Sequence, residues 1–161
     1  MKILVIHFSK FGHTKQIAEA IAEGLMAIGP VQVCDIDQVD DSELQDANLV
    51  VLGSPTHNMN LPKALRPILD SLPRRAVRGS SVAAFDTSYK MNGLLARFTA
   101  APKLDRKLRK LGGKRIVPPV SFFVEEREGP LYEGEIERAR KWGALIGQRL
   151  SESKIKQIRQ I

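Results

Sequence analysis

Residues 7–14 read His7-Phe8-Ser9-Lys10-Phe11-Gly12-His13-Thr14, after the apolar run Ile3-Leu4-Val5-Ile6 and before Lys15-Gln16-Ile17-Ala18-Glu19. An unbroken aliphatic run reads as a strand buried on both faces. Beyond the loop, Ile17, Ala18, Ile21, Ala22 and Leu25 recur at helical spacing, with Lys15, Gln16, Glu19 and Glu23 on the other side. The segment is therefore a strand-to-helix turn. Ser9 and Thr14 supply hydroxyls at its two ends, Gly12 permits a turn that a Cβ would obstruct, and the first-turn amides of the helix attract an anion. Such a loop suits a phosphate. The alternative for Thr14 is a plain helix N-cap.

Competing phosphate motifs fail on particular residues. A P-loop requires Gly-Lys-Ser/Thr after four intervening residues, and a dinucleotide fingerprint requires three spaced glycines; neither is present. A phosphoacceptor receiver requires carboxylates where this chain has Phe8-Ser9 and Gly53-Ser54.

The same alternation continues along the chain. Strands are expected at Lys2–His7, Val31–Asp35, Asn48–Gly53, Ser80–Phe85, and at either Lys114–Val117 or Ser121–Val124. Gly29-Pro30 ends the first helix. A short turn at Asp41–Leu44, a helix opened by Pro62 and kinked at Pro67, and a helix over Gly93–Leu111 bent at Pro102 are expected between the strands. A last helix starts near Glu135 and aligns Ile136, Ala139, Trp142, Ile146 and Leu150. This order predicts a three-layer α/β/α sandwich around a parallel sheet. The domain is expected over residues 1–150, with the basic tail 151–161 extending the last helix, docking or fraying.

Composition narrows the class. The 161 residues, 43% of them hydrophobic, suit one domain. No stretch has the roughly 18 apolar residues of a membrane span, and no secretory leader is recognisable, so a cytoplasmic protein is expected. The single cysteine, Cys34, excludes an internal disulfide and reads as a buried, inert thiol. No His spacing argues for a metal. The net charge of +7 is uneven: residues 62–116 hold 14 Lys/Arg against three Asp, and the remaining residues hold 11 basic against 15 acidic side chains. An acidic partner is one expectation and a solvated basic face the other. The basic run offers only Phe85, Tyr89 and Phe98 as aromatics, so single-stranded nucleic acid lacks a stacking platform.

In a parallel sheet, ligands bind beyond the carboxyl ends of strands. Two further loops lie there: Gly53-Ser54-Pro55-Thr56-His57-Asn58-Met59, and Asp86-Thr87-Ser88-Tyr89-Lys90. Both combine polar groups with an apolar or aromatic residue, as a flat heterocycle requires. With Ser9-Lys10-Phe11-Gly12-His13-Thr14 similar to Ser/Thr-x-Ser/Thr-Gly-x-Thr, and Gly53-Ser54-Pro55-Thr56 similar to Gly-x-Pro-Thr, the chain resembles short-chain flavodoxins over residues 1–150.

The resemblance implies a five-stranded sheet of order 2-1-3-4-5 and noncovalent flavin mononucleotide (FMN). By it, Ser9, Gly12 and Thr14, with the amides of residues 10–14, hold the phosphate; Lys10, Phe11 and His13 belong to the same loop. Ser54, Pro55, Thr56, His57, Asn58 and Met59 flank one side of the ring, and Asp86, Thr87, Ser88, Tyr89 and Lys90 the other. Tyr89 is the candidate for stacking, or else an ordinary loop aromatic. His57 is placed to bond the ring, His13 on the surface, and His7 among satisfied buried groups.

Flavodoxins stabilise one-electron-reduced flavin with a second-loop peptide eased by glycine. Thr56–Leu61 has none, and Asn58 or Asn60 tolerates a positive φ best. Electron transfer as a monomer or weak homodimer, to an acidic redox protein or a small-molecule donor or acceptor, is the expected function. An NAD(P)H-dependent quinone or small-molecule reductase and a basic binding module without flavin are the alternatives.

Overall fold

The computed structural model describes residues 1–161. Six parallel strands, β1 (Ile3–His7), β2 (Val31–Asp35), β3 (Leu49–Pro55), β4 (Ser81–Tyr89), β5 (Lys114–Arg115) and β6 (Val120–Val124), form one sheet. Its order is β2-β1-β3-β4-β5, with β6 also on β4. The two sites considered for a fifth strand are thus both used. β5 pairs with Ser81–Val82 and β6 with Phe85–Tyr89, as one edge interrupted at Pro118-Pro119. Proline has no N–H for the ladder, and an edge tolerates the break.

Successive residues of the central strands point to opposite faces, so each face builds its own core. Ile3, Val5, Leu49, Val51, Ala83 and Phe85 pack under α1 (His13–Leu25) and α5 (Glu135–Arg159). Leu4, Ile6, Val50, Leu52, Val82 and Ala84 pack under α2 (Asp41–Asp46), α3 (Leu65–Asp70) and α4 (Ala100–Lys110). Phe85, Phe122 and Trp142 meet edge to face, with centroids 5.9–6.2 Å apart, and join the edge strand to α5.

Two helices differ from expectation. Pro62 precedes α3 without opening it, and Pro67 is the third residue of α3, where a proline's missing N–H breaks no ladder. Residues 93–99 stay outside α4 apart from a 3₁₀ turn at Leu95–Phe98, and Pro102 falls in the first turn of α4 and bends nothing. The basic tail continues α5 to Arg159. No helix is long and apolar enough to cross a membrane.

α1 and α5 approach until their backbones touch. A Cβ on Gly143 would strike the carbonyl oxygen of Ile21, and one on Gly24 that of Arg140. Backbone cannot yield as a side-chain tip can. Gly143→Ala is therefore expected to destabilise the fold by about 1–3 kcal/mol, read as a lower urea midpoint at unchanged m-value.

Candidate cofactor cleft

β1 delivers the chain into the turn Ser9–Gly12, and α1 follows. Gly12 has φ 87° with nothing within 4 Å of a Cβ built there, so conformation and not space calls for glycine. Its N–H donates to Ser9 Oγ at 3.0 Å, and its carbonyl accepts from the Gln16 N–H. The amides of Lys10, Phe11, His13, Thr14 and Lys15 have no backbone acceptor. Gathered at the positive end of α1, they form an anion nest, and the residues present fit a phosphate terminus.

Thr14 is the second residue of α1 and not its N-cap. Its buried Oγ1 lies 2.8 Å from Thr87 Oγ1. One hydroxyl donates to the other, so one O–H hydrogen stays available to a ligand. The pair also fixes the first loop against β4.

The second loop is anchored on the opposite side. Thr56 N–H donates to Thr87 O at 2.9 Å, and Thr56 Oγ1 accepts from the Ala100 N–H, at the start of α4, also at 2.9 Å. His57 and Asn60 exchange backbone hydrogen bonds of 2.8 and 2.9 Å around Asn58 (φ 48°) and Met59 (φ 58°). Positive φ at both central residues is the geometry of a tight two-residue hairpin. Asn58 takes one left-handed position as expected, while Met59 and not Asn60 takes the other. Lys103 Nζ donates to Met59 O at 2.8 Å and to Phe98 O at 3.0 Å, tying the hairpin to α4.

The third segment is corrected. Asp86–Tyr89 is not a loop but the end of β4, which pairs with β6 as far as Tyr89. Alternation then divides the residues between two faces. Asp86 is fully buried, with Oδ2 accepting from the Ala101 N–H at 2.8 Å, so it binds the start of α4 and does not line the cleft. Burial raises its pKa above the usual carboxylate range. Lys90 also lies off the cleft, its ammonium 5.5 Å from the centre of the Tyr132 ring.

Ser9, Lys10, Phe11, His13, Thr14, Pro55, Thr56, His57, Thr87, Ser88 and Tyr89 converge on one cleft. Gly12 shapes the turn from outside it, Ser54 is buried beneath, and Asn58 opens onto an adjoining groove. Met59 is not among the lining residues and faces Lys103 through its carbonyl. Val124 and Arg127 complete the wall and were missed from sequence. Their signal was the charged stretch Glu125–Glu128 beyond the last strand, hidden while that strand's position was open. The same loop holds His13, whose Nε2 is 2.6 Å from Glu128 O; His13 is thus a tie between loops and not a free surface residue. His7 is buried as expected, yet its Nδ1 lacks a hydrogen bond and stands 3.8 Å from Asp35 Oδ2. Cys34 is buried, its thiol pushed up to about 11, chiefly by burial.

Lys10 and Arg127 bring positive charge to a lining without carboxylates. Burial, then Lys10 and Arg127, lower the His57 pKa. His57 is expected to be a neutral imidazole at pH 7, titrating below 6.5 by NMR in the FMN-free chain, with Lys10→Gln and Arg127→Gln each moving the midpoint up. The hairpin makes a second prediction. Asn58→Val is expected to cost about 1–2 kcal/mol in urea unfolding, from the β-branched side chain at a left-handed position, while Asn58→Gly is tolerated.

Known proteins resemble this chain in sequence and fold. The chain is 29% identical to a flavodoxin of Clostridium saccharobutylicum, covering 98% of this chain and 99% of that protein. It is also 29% identical to an NAD(P)H dehydrogenase (quinone) of Geotalea daltonii, over only 51% and 53% of the two. Among solved structures, a flavodoxin from the domain Archaea superposes with a TM-score of 0.75 at 22% identity, covering 94% of this chain and 99% of that one. Oxidised Flavodoxin 2 from Bacillus cereus gives 0.74 at 20% identity, covering 92% and 99%. The flavodoxin sequence model matches residues 5–142, both cofactor motifs included, and the chain belongs to the flavodoxin family.

Proposed function

We propose that this flavodoxin carries electrons between redox partners with acidic docking faces, using FMN held in the cleft between the first loop, the His57–Asn60 hairpin and the end of β4. FMN supplies reversible acceptance of electrons. Ser9, Thr14 and the amides of Lys10, Phe11, His13, Thr14 and Lys15 would hold its phosphate, with the α1 dipole adding to the attraction. Thr56 and His57 on one side and Ser88 and Tyr89 on the other would flank the ring. Tyr89, 46% exposed at the rim, can cover the ring face while leaving an edge accessible. The single observation carrying this reading is the first loop, where partnerless amides and the Thr14–Thr87 pair meet at a helix N-terminus.

The partner's sign follows from the rim. Lys10 and Arg127 line the cleft with exposed Phe11 and Tyr89, and Leu94, Leu95 and Phe98 stand in solvent along the 91–98 segment with Arg97 among them. An apolar centre with a basic border suits transient docking of an acidic face, with rates falling as salt rises. Cytoplasmic exchange by a monomer or weak homodimer is part of the same proposal. A two-electron reductase is the second reading, favoured by a groove beside His57 where Lys10, Lys63 and Arg66 could receive a dinucleotide's phosphates.

Calorimetry of the FMN-free chain with FMN is expected to show one site. Ser9→Ala and Thr14→Ala are each expected to weaken it by about tenfold, the loss of one charge-assisted hydrogen bond. Absence of binding in folded protein would overturn the assignment. Reduction of the loaded protein by an acidic redox protein, with slow bleaching by NADPH alone, is expected for the carrier; rapid bleaching by NADPH would establish the reductase.

A further inference from the structure

At the end of the sheet opposite the cleft, the turn 73–79 before β4 packs against the turn 111–113 between α4 and β5. Ala76 and Val77 are buried in the core, and Val77 N–H donates to Leu111 O at 3.2 Å. Gly112, with φ 96°, comes so close that a Cβ would lie 2.9 Å from Arg78 Cα. These contacts hold two basic segments against each other on a rigid frame. Between them lies an open concavity of about 580 Å³, lined by Arg74, Arg75, Arg78, Lys110 and Gly112 and by no acidic or apolar side chain.

Five of the chain's bases are held by carboxylates. Lys107 pairs with Asp70, Arg109 and Arg115 with Asp105, Arg138 with Glu135, and Arg140 with Glu23 and Glu137. None of Arg74, Arg75, Arg78 or Lys110 has a carboxylate within ion-pair distance. Lys110 complements the carbonyl end of α4, but that end does not account for three arginines on the facing turn. Cations gathered in one hollow repel until an anion enters, and a frame built before binding spares the ligand the cost of ordering it. Arginine's planar fork matches paired phosphate oxygens better than lysine's point charge.

We propose that Arg74, Arg75, Arg78 and Lys110 form a second anion site, which takes a compact polyphosphate of the kind carried by nucleoside triphosphates and by short inorganic polyphosphate. No aromatic ring lines the hollow, so it reads phosphate and not a base. Its place at the amino ends of β4 and β5 keeps the ligand away from the cofactor cleft. The ligand is thus an effector or tether and not an electron donor, and the site stands independently of the redox function.

The test is isothermal calorimetry of the full chain with sodium tripolyphosphate and with ATP in magnesium-free buffer, comparing the parent, Arg74→Ala/Arg78→Ala, Arg78→Lys, and a distant control of equal charge loss, Lys156→Ala/Arg159→Ala. Circular dichroism and FMN titration check that each variant is folded. One polyphosphate per chain is expected. The double arginine variant should lose at least about tenfold in affinity, Arg78→Lys a smaller part, the distant control little, and FMN affinity should stay unchanged. Equal binding of the two ligands would mean that the phosphate chain alone is read; tighter ATP would identify a nucleotide as the natural source. Failure of both to bind, or equal loss in the distant control, would overturn the site.

Discussion

Burial of β1 between β2 and β3, with helices on both faces, is the constraint on which the rest of the molecule depends. Parallel strands must be joined by crossovers, so every strand ends at the same edge and every following helix or loop starts there. His7, Gly53 and Asp35 therefore stand level in the sheet, and the turns after β1 and β3 are neighbours without any direct attraction between their side chains. The cofactor loops are brought together by backbone hydrogen bonding and apolar burial far below them.

What refines that position is a small polar lattice. Thr14 and Thr87 join α1 to β4, Thr56 joins β3 to the start of α4, and Asp86 fastens α4 from beneath. Each link satisfies a buried or half-buried group that would otherwise lose its bond to water, so each is energetically demanded as well as geometrically useful. The strained hairpin at Asn58 and Met59 is held in the same way by Lys103. Gly53 adds a packing reason to a residue that resembles a cofactor motif: a Cβ there would enter the ring of Phe85. One glycine thus serves both the loop and the core.

Charge is divided along the same axis. Near the cleft, Lys10 and Arg127 face an anion nest, and burial keeps His57 from adding a third full charge. At the far edge, unpaired arginines occupy a separate hollow. The excess of positive charge in residues 62–116 is therefore not one surface. Some of it is neutralised by Asp70 and Asp105; Arg74, Arg75, Arg78 and Lys110 line the far hollow, and Lys63 and Arg66 line the groove beside His57.

Layer order, the parallel sheet and the first strand-to-helix turn were legible in the amino-acid sequence, because apolar runs, helical spacing and a Ser-Gly-Thr turn are local patterns set by local geometry. The extent of β4 was not, since Asp86-Thr87-Ser88 is polar like a loop and becomes strand only when β6 and α4 supply its partners. Arg127 entered the cleft, and Asp86 and Lys90 left it, for a related reason: which way a residue points depends on pairing across the sheet, and pairing joins segments remote in the chain. Chemistry of the first turn was written in its own residues; membership of the cleft was decided by tertiary contact.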